Sequence, residues 1–356
     1  MRSRNKDEYT RSTNRSSARR AGRLRSALLE LSIAFGVLCF AGCASEPTSV
    51  QTDLDPTLAT HDQALASTVA TPPFYRVDGG PGATLLVLGT IHVGPEEGWI
   101  FSEALRDGLE RADSFVLELD LRKVGELDVA NRLAELVVIE SPRTLADLVS
   151  PETAKVIAEN DLRLSELGLP VNARKRLKPW YLAMGLVEST TQRSGLSTKT
   201  SAESIIESAI GSRSLLGLET FEEQLVLLNE IDPVLQDMML RDTLNRLDEA
   251  VEDTRDLAVA WHDGDVAYFK KLAREGVDEM PEFERFYEII LGDRNRRWLP
   301  TLRTLLDDPG RKGEIIFVGV GTLHLVLEDG LLELLRESGY RVRAIDHDNK
   351  IEVISQ

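Results

Sequence analysis

The chain has 356 residues, of which 42% are hydrophobic and 28% are charged, so it is long enough to bury one large core or two modest ones. Its formal net charge of −17 is unevenly spread: the first 42 residues carry nine Lys or Arg against three Asp or Glu, and the remainder carries 33 against 56. Such an acidic remainder repels phosphate backbones, which excludes nucleic acid as an expected partner, and its plainest role is solubility.

The amino-terminal segment has the order of an export signal. Arginines cluster in residues 19–25 and precede an apolar run, residues 31–41, that is too short to span a bilayer stably. The run ends in Phe40-Ala-Gly-Cys43, and small residues directly before a cysteine are what a lipoprotein signal peptidase accepts. Residues 1–43 are therefore predicted to be a signal peptide with a lipobox-like end and Cys43 as the site of lipidation.

Cysteine usage and composition extend this prediction. The two cysteines are Cys39 and Cys43, so processing would leave one thiol and no intramolecular disulfide. No Asp follows Cys43, which by resemblance to other lipoproteins predicts an exported protein anchored in the outer membrane and facing the periplasm. Residues 44–73, rich in Ser, Thr, Asp and Pro, predict a flexible tether. A plain cleaved signal peptide and an uncleaved anchor are the alternatives.

The folded part is expected to span residues 74–356, and four of its segments have the apolar pattern of buried strands that end in a histidine or an acid. Thr84–Leu88 leads into Gly89-Thr-Ile-His92, Ser114–Leu117 into Glu118, Ser214–Leu218 into Glu219, and Ile315–Val318 into Gly321-Thr-Leu-His324. Strands that alternate with helices predict an α/β fold with a central, mostly parallel sheet and flanking helices. Helical periodicity predicts a helical insert over about residues 121–212.

The repeated Gly-x-x-His motif is informative because 25 Gly and five His give less than one match by chance. In open α/β sheets the carboxyl ends of the strands form the crevice where ligands bind. Gly89 and Gly321 would let the chain turn there without a side-chain clash. We therefore expect His92 and His324 to face one another, with acid groups, across a shared pocket.

Two imidazoles and one or two carboxylates suit a divalent transition metal, and a metal so held can activate water. No spacing matches a closed zinc signature, so the sequence does not specify the metal. A structural interpretation is also open for each residue. A strand-end histidine can cap a turn or a helix. Glu118 and Glu219 can be acids at helix N-termini, and Arg294 can belong to a solvated helix face or a structural ion pair.

Six sequence elements, in order, resemble the TraB/GumN family and its Tiki metalloprotease relatives. They are Gly89-Thr-Ile-His92, Glu118 in Leu-Glu-Leu-Asp, Lys178-Pro-Trp-Tyr181, Gly217-Leu-Glu-Thr220 followed by Glu223-Gln-Leu225, Arg294-Asn-Arg-Arg-Trp298, and the late Gly-Thr-Leu-His324. The last motif reads Gly-Val-Gly-Thr before its leucine and histidine, where many bacterial relatives have Gly-x-Gly-Ala or Gly-x-Gly-His. The histidine itself is retained.

The resemblance implies a Tiki-like fold and an active site with two Gly-x-x-His histidines and a glutamate. It implies manganese or cobalt as the metal, with zinc as a further option. His92 and His324 would be ligands or proton-transfer groups, and Glu118 a ligand or general base. Glu219 would be a supporting carboxylate, and Arg294 and Asn295 would polarise or position the substrate carbonyl.

Together these features predict an exported, lipid-anchored hydrolase, a metal-dependent peptidase acting on a peptide or small-molecule substrate. One alternative is a metal-independent hydrolase with a histidine general base, as in the erythromycin-esterase relatives of the superfamily. The other is a lipoprotein that binds haem or another ligand without catalysis, because a haem-binding lipoprotein group also belongs among these relatives.

Overall fold

A six-stranded mixed sheet lies at the centre of the fold. The computed structural model describes residues 65–123, 125–279 and 281–348. The predicted signal peptide, Cys43 and most of the predicted tether lie outside these ranges. Within them, no helix combines the length and the apolar character that crossing a bilayer requires.

Ten strands are present in the described residues. They are β1 (Val69–Ala70), β2 (Phe74–Asp78), β3 (Thr84–Thr90), β4 (Gly94–Pro95), β5 (Ile100–Phe101), β6 (Ser114–Leu117), β7 (Leu196–Ser197), β8 (Ser214–Gly217), β9 (Ile315–Gly321) and β10 (Arg341–Ala344). The helices are α1 (Glu103–Arg111), α2 (Glu126–Val137), α3 (Pro151–Glu159), α4 (Asp161–Glu166), α5 (Val171–Arg174), α6 (Pro179–Arg193), α7 (Ala202–Ile210), α8 (Phe221–Asn229), α9 (Pro233–Asn245), α10 (Ala250–His262), α11 (Val266–Glu279), α12 (Pro281–Tyr287), α13 (Asp293–Asp307), α14 (Thr322–Val326) and α15 (Leu331–Glu337). A π-helical turn, Glu288–Gly292, joins α12 to α13.

The strand order in the central sheet is β10-β2-β3-β9-β6-β8. Strands β3, β9, β6 and β8 are parallel to their neighbours in this run, whereas β2 and β10 add to one edge as antiparallel strands. The predicted α/β fold is confirmed. The carboxyl ends of four parallel strands therefore lie side by side along one edge of the sheet.

The apolar runs of β3, β6 and β9 are typical of strands buried on both faces, and nearly all of their residues are buried. Leu85, Leu88, Ile316, Phe317 and Val318 are fully buried. The ring of Phe317 in β9 also packs against the rings of Phe74 in β2 and Phe115 in β6, at centroid distances of 5.8 and 6.0 Å. The register pairs Thr90 with Gly321 and Leu117 with Gly319, which brings the strand ends together.

Most of the helices in the described residues fall in two stretches, α2–α7 between β6 and β8 and α8–α13 between β8 and β9. Helix α6 contributes to both of the apolar clusters in the described residues. Its Trp180, Met184 and Val187 belong to the main core, whereas Leu182 and Leu186 join a second cluster that includes Leu240 and Leu244 of α9. A helix that is apolar on most of its circumference is stable only when it is buried on several sides.

An amino-terminal strap, residues 68–73, packs onto the domain ahead of β2. Val69 and Ala70 pair in parallel with β5, and Ala70 is fully buried. The N–H of Thr71 donates to the carbonyl of His262 at 2.7 Å. Packing thus begins before residue 74, so the predicted tether ends earlier than residue 73.

Two histidines hold the strap. The Nε2 atom of His262 lies 3.0 Å from Thr68 Oγ1, and Nε2 of His347 lies 2.8 Å from the carbonyl of Pro72. On its other side, His347 Nδ1 bonds Ser102 Oγ at 2.8 Å. Both imidazoles therefore have structural partners.

Candidate active site

The polar residues that follow the four parallel strands converge at one edge of the sheet. The N–H of Glu219 donates to the carbonyl of Glu118 at 3.0 Å, which continues the β6–β8 pairing past the strand ends. Thr322 Oγ1 donates to the carbonyl of Thr90 at 3.0 Å and joins the ends of β9 and β3. His92 and His324 follow these two ends. The structure therefore brings the two Gly-x-x-His motifs and the two strand-end acids to the same edge.

Arg294 lies at the centre of this site, in the first turn of α13, and is 1% exposed. Its Nε donates to both oxygens of Glu219 at 3.1 and 3.2 Å, and its Nη2 donates at 2.6 Å to Glu219 Oε1 and to Glu118 Oε2. Its Nη1 donates to the carbonyl of Ile290 at 3.1 Å and to Nε2 of His324 at 3.0 Å. A guanidinium has five N–H donors, and these contacts engage all of them. Arg294 therefore has no donor left to polarise a substrate carbonyl, the role that the resemblance implied.

His324 is held as a neutral imidazole. Its Nδ1 donates to Asn295 Oδ1 at 2.7 Å, and its Nε2 accepts from Arg294. Burial and the charge of Arg294 lower the pKa of His324 to about 3. Asn295 is itself fixed, because its Nδ2 donates to the carbonyl of Asp329 at 3.2 Å. Both ring nitrogens of His324 are thus engaged, and Asn295 positions this histidine rather than a substrate.

Glu118 is held as a carboxylate. Burial alone raises its pKa, but the charges of Arg294, His324 and His92, together with the N–H of Gly321, lower it to about 2. The Gly321 N–H donates to Glu118 Oε1 at 2.8 Å. The charge of His92 also contributes to the lowered pKa of His324.

The two motif glycines serve different purposes. A Cβ at Gly89 would lie 2.9 Å from Thr322 Oγ1 and 3.2 Å from Thr322 Cα, so the close approach of β3 and α14 requires glycine there. A Cβ at Gly321 would meet Glu118 and His324 only at ordinary contact distances of 3.4 and 3.6 Å. The expected steric reason therefore applies to Gly89, whereas Gly321 contributes its backbone N–H.

His92 is paired with a residue that the sequence did not reveal. Its Nδ1 lies 3.2 Å from Oε1 of Glu203, in the first turn of α7. Its Nε2 is buried and has no hydrogen-bond partner. An acid that follows a Ser N-cap is normally interpreted as a partner of the helix dipole, and no local signal connects Glu203 with a histidine so distant in sequence.

The site has two layers, which differ in exposure. The buried layer contains Arg294, Asn295, Glu219 and His324, whose exposed fractions are 1, 0, 4 and 4%. The front layer contains His92, Glu118 and Glu203, whose side chains are 13, 12 and 19% exposed. Of these seven residues, those of the front layer have the more exposed side chains, whereas Nε2 of His92 and both carboxylate oxygens of Glu203 are buried.

The metal expected from the resemblance can be tested against this arrangement. Imidazoles and carboxylates are suitable donors by type. However, the Arg294 guanidinium bonds Glu118, Glu219 and His324. Among the histidines and acids of the site, this leaves only His92 Nε2 and the Glu203 carboxylate without a hydrogen bond, a set of two residues. Across the described ranges, no three His, Cys, Asp or Glu side chains are grouped so that they could hold a metal ion. As arranged, the residues fit a guanidinium and do not fit a divalent metal.

Other residues of the resembling motifs have structural roles. Thr220 and Glu223 form a capping box at the start of α8, in which each side chain bonds the backbone of the other residue. Trp180 is fully buried in the main core. Arg296 pairs with Asp293 at 2.7 Å on the surface, as the structural interpretation of this helix face predicts.

Comparison with known proteins gives a family and one described relative. A profile described as the TraB/PrgY/gumN family matches residues 73–344, which is most of the chain. A protein of Treponema pallidum (strain Nichols), described as uncharacterized, is 24% identical over 199 residues, which cover 54% of this chain and 54% of that protein. The chain thus spans about half the length of this relative. No solved structure matches the chain.

Proposed function

The chain belongs to the TraB/PrgY/gumN family, and from this premise we propose that it is a hydrolase that uses the front layer of the site, with His92 as the proton acceptor. One observation carries the proposal. His92 Nε2 is buried and unpartnered, whereas both ring nitrogens of His324 are bonded. Of the two strand-end histidines, His92 is therefore the one with a nitrogen free to take a proton.

The proposed step is general base catalysis of hydrolysis. Water donates a proton to Nε2 of His92 as its oxygen bonds to the carbonyl carbon of an ester or amide. The bond from that carbon to the leaving oxygen or nitrogen then breaks, and His92 returns the proton to the leaving group. Glu118, ionised and in the same layer, stabilises the positive charge that His92 carries between these events.

The buried layer keeps this arrangement fixed. Arg294 offsets the charge of the two adjacent carboxylates and holds Glu118 on one side, while the Gly321 N–H holds it on the other. Buried ion pairs tolerate little change, because removal of one partner leaves an uncompensated charge. Arg294, Glu219 and Asn295 are therefore proposed as positioning residues, and His324 as a neutral member of the same network.

The test is hydrolysis of ester, lactone and peptide panels by the mature chain from residue 44 in excess chelator. We expect turnover by the parent and a loss of about 10²-fold or more in His92→Ala, the usual size of a general base contribution. Thermal unfolding of His92→Ala checks that the variant is folded.

Three outcomes would count against the proposal. Turnover unchanged in a folded His92→Ala would remove the assigned base. Activity that is lost in chelator and restored by Mn²⁺, Co²⁺ or Zn²⁺ would replace this mechanism with the metal-dependent peptidase expected from the resemblance. An absorption band on addition of haem, without turnover, would support the binding lipoprotein instead.

A further inference from the structure

We propose that Glu203 is the positioning residue of His92: it fixes the tautomer of this imidazole and stabilises the cation that forms when His92 takes a proton. The second half of this role rests on the proposed function. The first half concerns the resting protein and can be measured without any substrate.

The surroundings of Glu203 leave it one evident partner. Both of its carboxylate oxygens are buried and make no hydrogen bond to the described residues. Its Oε1 lies 3.2 Å from Nδ1 of His92, within ion-pair distance although not aligned as a hydrogen bond. Burying a carboxylate without a donor is costly, so the contact with an imidazole N–H is the interaction that offsets this cost.

The backbone brings the two residues together by several fixed contacts. The N–H of Ala202, directly before Glu203, donates to the carbonyl of Ile91, directly before His92, at 3.1 Å. Ser201 caps α7 by accepting from the N–H of Ser204. The start of α7 is therefore docked on the loop that carries His92.

A second set of contacts fixes the same loop from its far side. Strand β4 pairs with β7, and Thr200 Oγ1 donates to the carbonyl of Gly94 at 3.2 Å. The approach is so close that a Cβ at Gly94 would lie 2.1 Å from the carbonyl oxygen of Thr200. The pairing of Glu203 with His92 is thus part of the fold and not an incidental surface contact.

Comparison of the two strand-end histidines supports the assignment. Each has an oxygen close to Nδ1: the neutral amide of Asn295, 2.7 Å away, for His324, and the carboxylate of Glu203, 3.2 Å away, for His92. An amide favours a histidine that stays neutral, whereas a carboxylate also stabilises the protonated form. The partners therefore give His324 a static role and His92 a proton-transfer role.

The test is the tautomer of His92, read from the ring nitrogens of ¹⁵N-histidine in NMR spectra of the mature chain from residue 44. The signals of His92 are identified by their absence in His92→Asn. We expect an Nδ1-protonated ring in the parent, and loss of this preference in Glu203→Ala. Glu110→Gln, which changes an exposed acid at the end of α1, is the control and should leave the His92 signals unchanged.

Kinetics add a second readout on any substrate found. We expect Glu203→Ala to lower kcat by about tenfold or more with little change in KM, and Glu203→Gln to keep the tautomer but still lower kcat. Glu203→Gln also serves if the alanine variant does not fold.

A His92 tautomer that is the same in parent and Glu203→Ala, or that is Nε2-protonated in the parent, overturns the proposal. A tautomer that depends on Glu203 in a protein without hydrolytic activity would instead refute the proposed function and leave the positioning role standing.

Discussion

Glu118 and His324 are adjacent groups that Arg294 keeps unprotonated. The pKa of Glu118 is lowered from 4.5 to about 2 and that of His324 from 6.5 to about 3. In each case burial is the largest single influence, and it raises the pKa of the acid but lowers that of the base. Acidification therefore acts against the folded state at both residues.

The free energy of unfolding of the parent protein should fall on acidification. The fall should be smaller in His324→Asn. The unfolded chain binds a proton at His324 below about pH 6.5, whereas the folded chain does so only near pH 3, so stability rises with pH across this window. One proton corresponds to a slope of about 1.4 kcal/mol per pH unit. Urea unfolding at pH 7, 5.5 and 4 would measure the difference, and parallel curves for parent and variant would contradict it.

Glu118→Gln probes the lower pH range, in which Glu118 is protonated. The Glu118 contribution is fully present above pH 4.5 and is lost as the pH falls toward 2. The parent and Glu118→Gln should therefore differ in their pH dependence only below about pH 4.5. This sets the effect of Glu118 apart from that of His324.

The sequence predicts that His92, Glu118, Glu219 and His324 lie at one edge because each comes soon after an apolar strand run. A strand end is a topological position, so parallel strands bring such residues together whatever lies between them. Glu203 could not be found in this way, since its partner is set by the docking of a helix onto a loop. The roles of Arg294 and Asn295 also required the structure, because a buried and a solvated arginine look alike in sequence.

At the scale of secondary-structure elements, the contact between the end of β3 and α14 depends on Gly89. Gly89→Ala should destabilise the protein by about 1–3 kcal/mol, since its Cβ would overlap the backbone and side chain of Thr322. Gly321→Ala is the matched control, because its Cβ finds room and its φ of −50° suits any residue. We expect a change below about 1 kcal/mol there, measured by urea unfolding at pH 7. Equal losses in both variants would contradict the steric account.

The strands divide into those that their own sequence predicts and those that depend on their neighbours. Strands β3, β6 and β9 are predictable because burial on both faces requires continuous apolar runs, whereas β8 has an apolar run although it is an edge strand with Leu216 exposed. Strand β10 has no such run: it is mostly exposed, and Arg341 and Arg343 pair with Asp78 of β2 at 2.8 Å. Its strand conformation comes from pairing with β2, so periodicity alone did not identify it.

At the scale of the whole molecule, the amino-terminal sequence predicts where in the cell the protein is located. If Cys43 is lipidated, the full chain expressed in a Gram-negative host should fractionate with membranes, and its intact mass should show a lipidated cysteine at residue 43. Cys43→Ser should lose both properties. Membrane fractionation retained in Cys43→Ser would indicate an uncleaved anchor, and a soluble parent would indicate a plain signal peptide.

The strap formed by residues 68–73 also limits the residue at which a truncated protein can begin. A recombinant version trimmed to begin at Phe74, as composition alone would suggest, removes the partner of β5 and leaves His262 and His347 without Thr68 and Pro72. The same strand leads, through the Trp99 indole that donates to the carbonyl of Val93, to the loop of His92. A shortened protein for crystallisation or assay should therefore start upstream of residue 65, so that the loop that carries His92 keeps its native support.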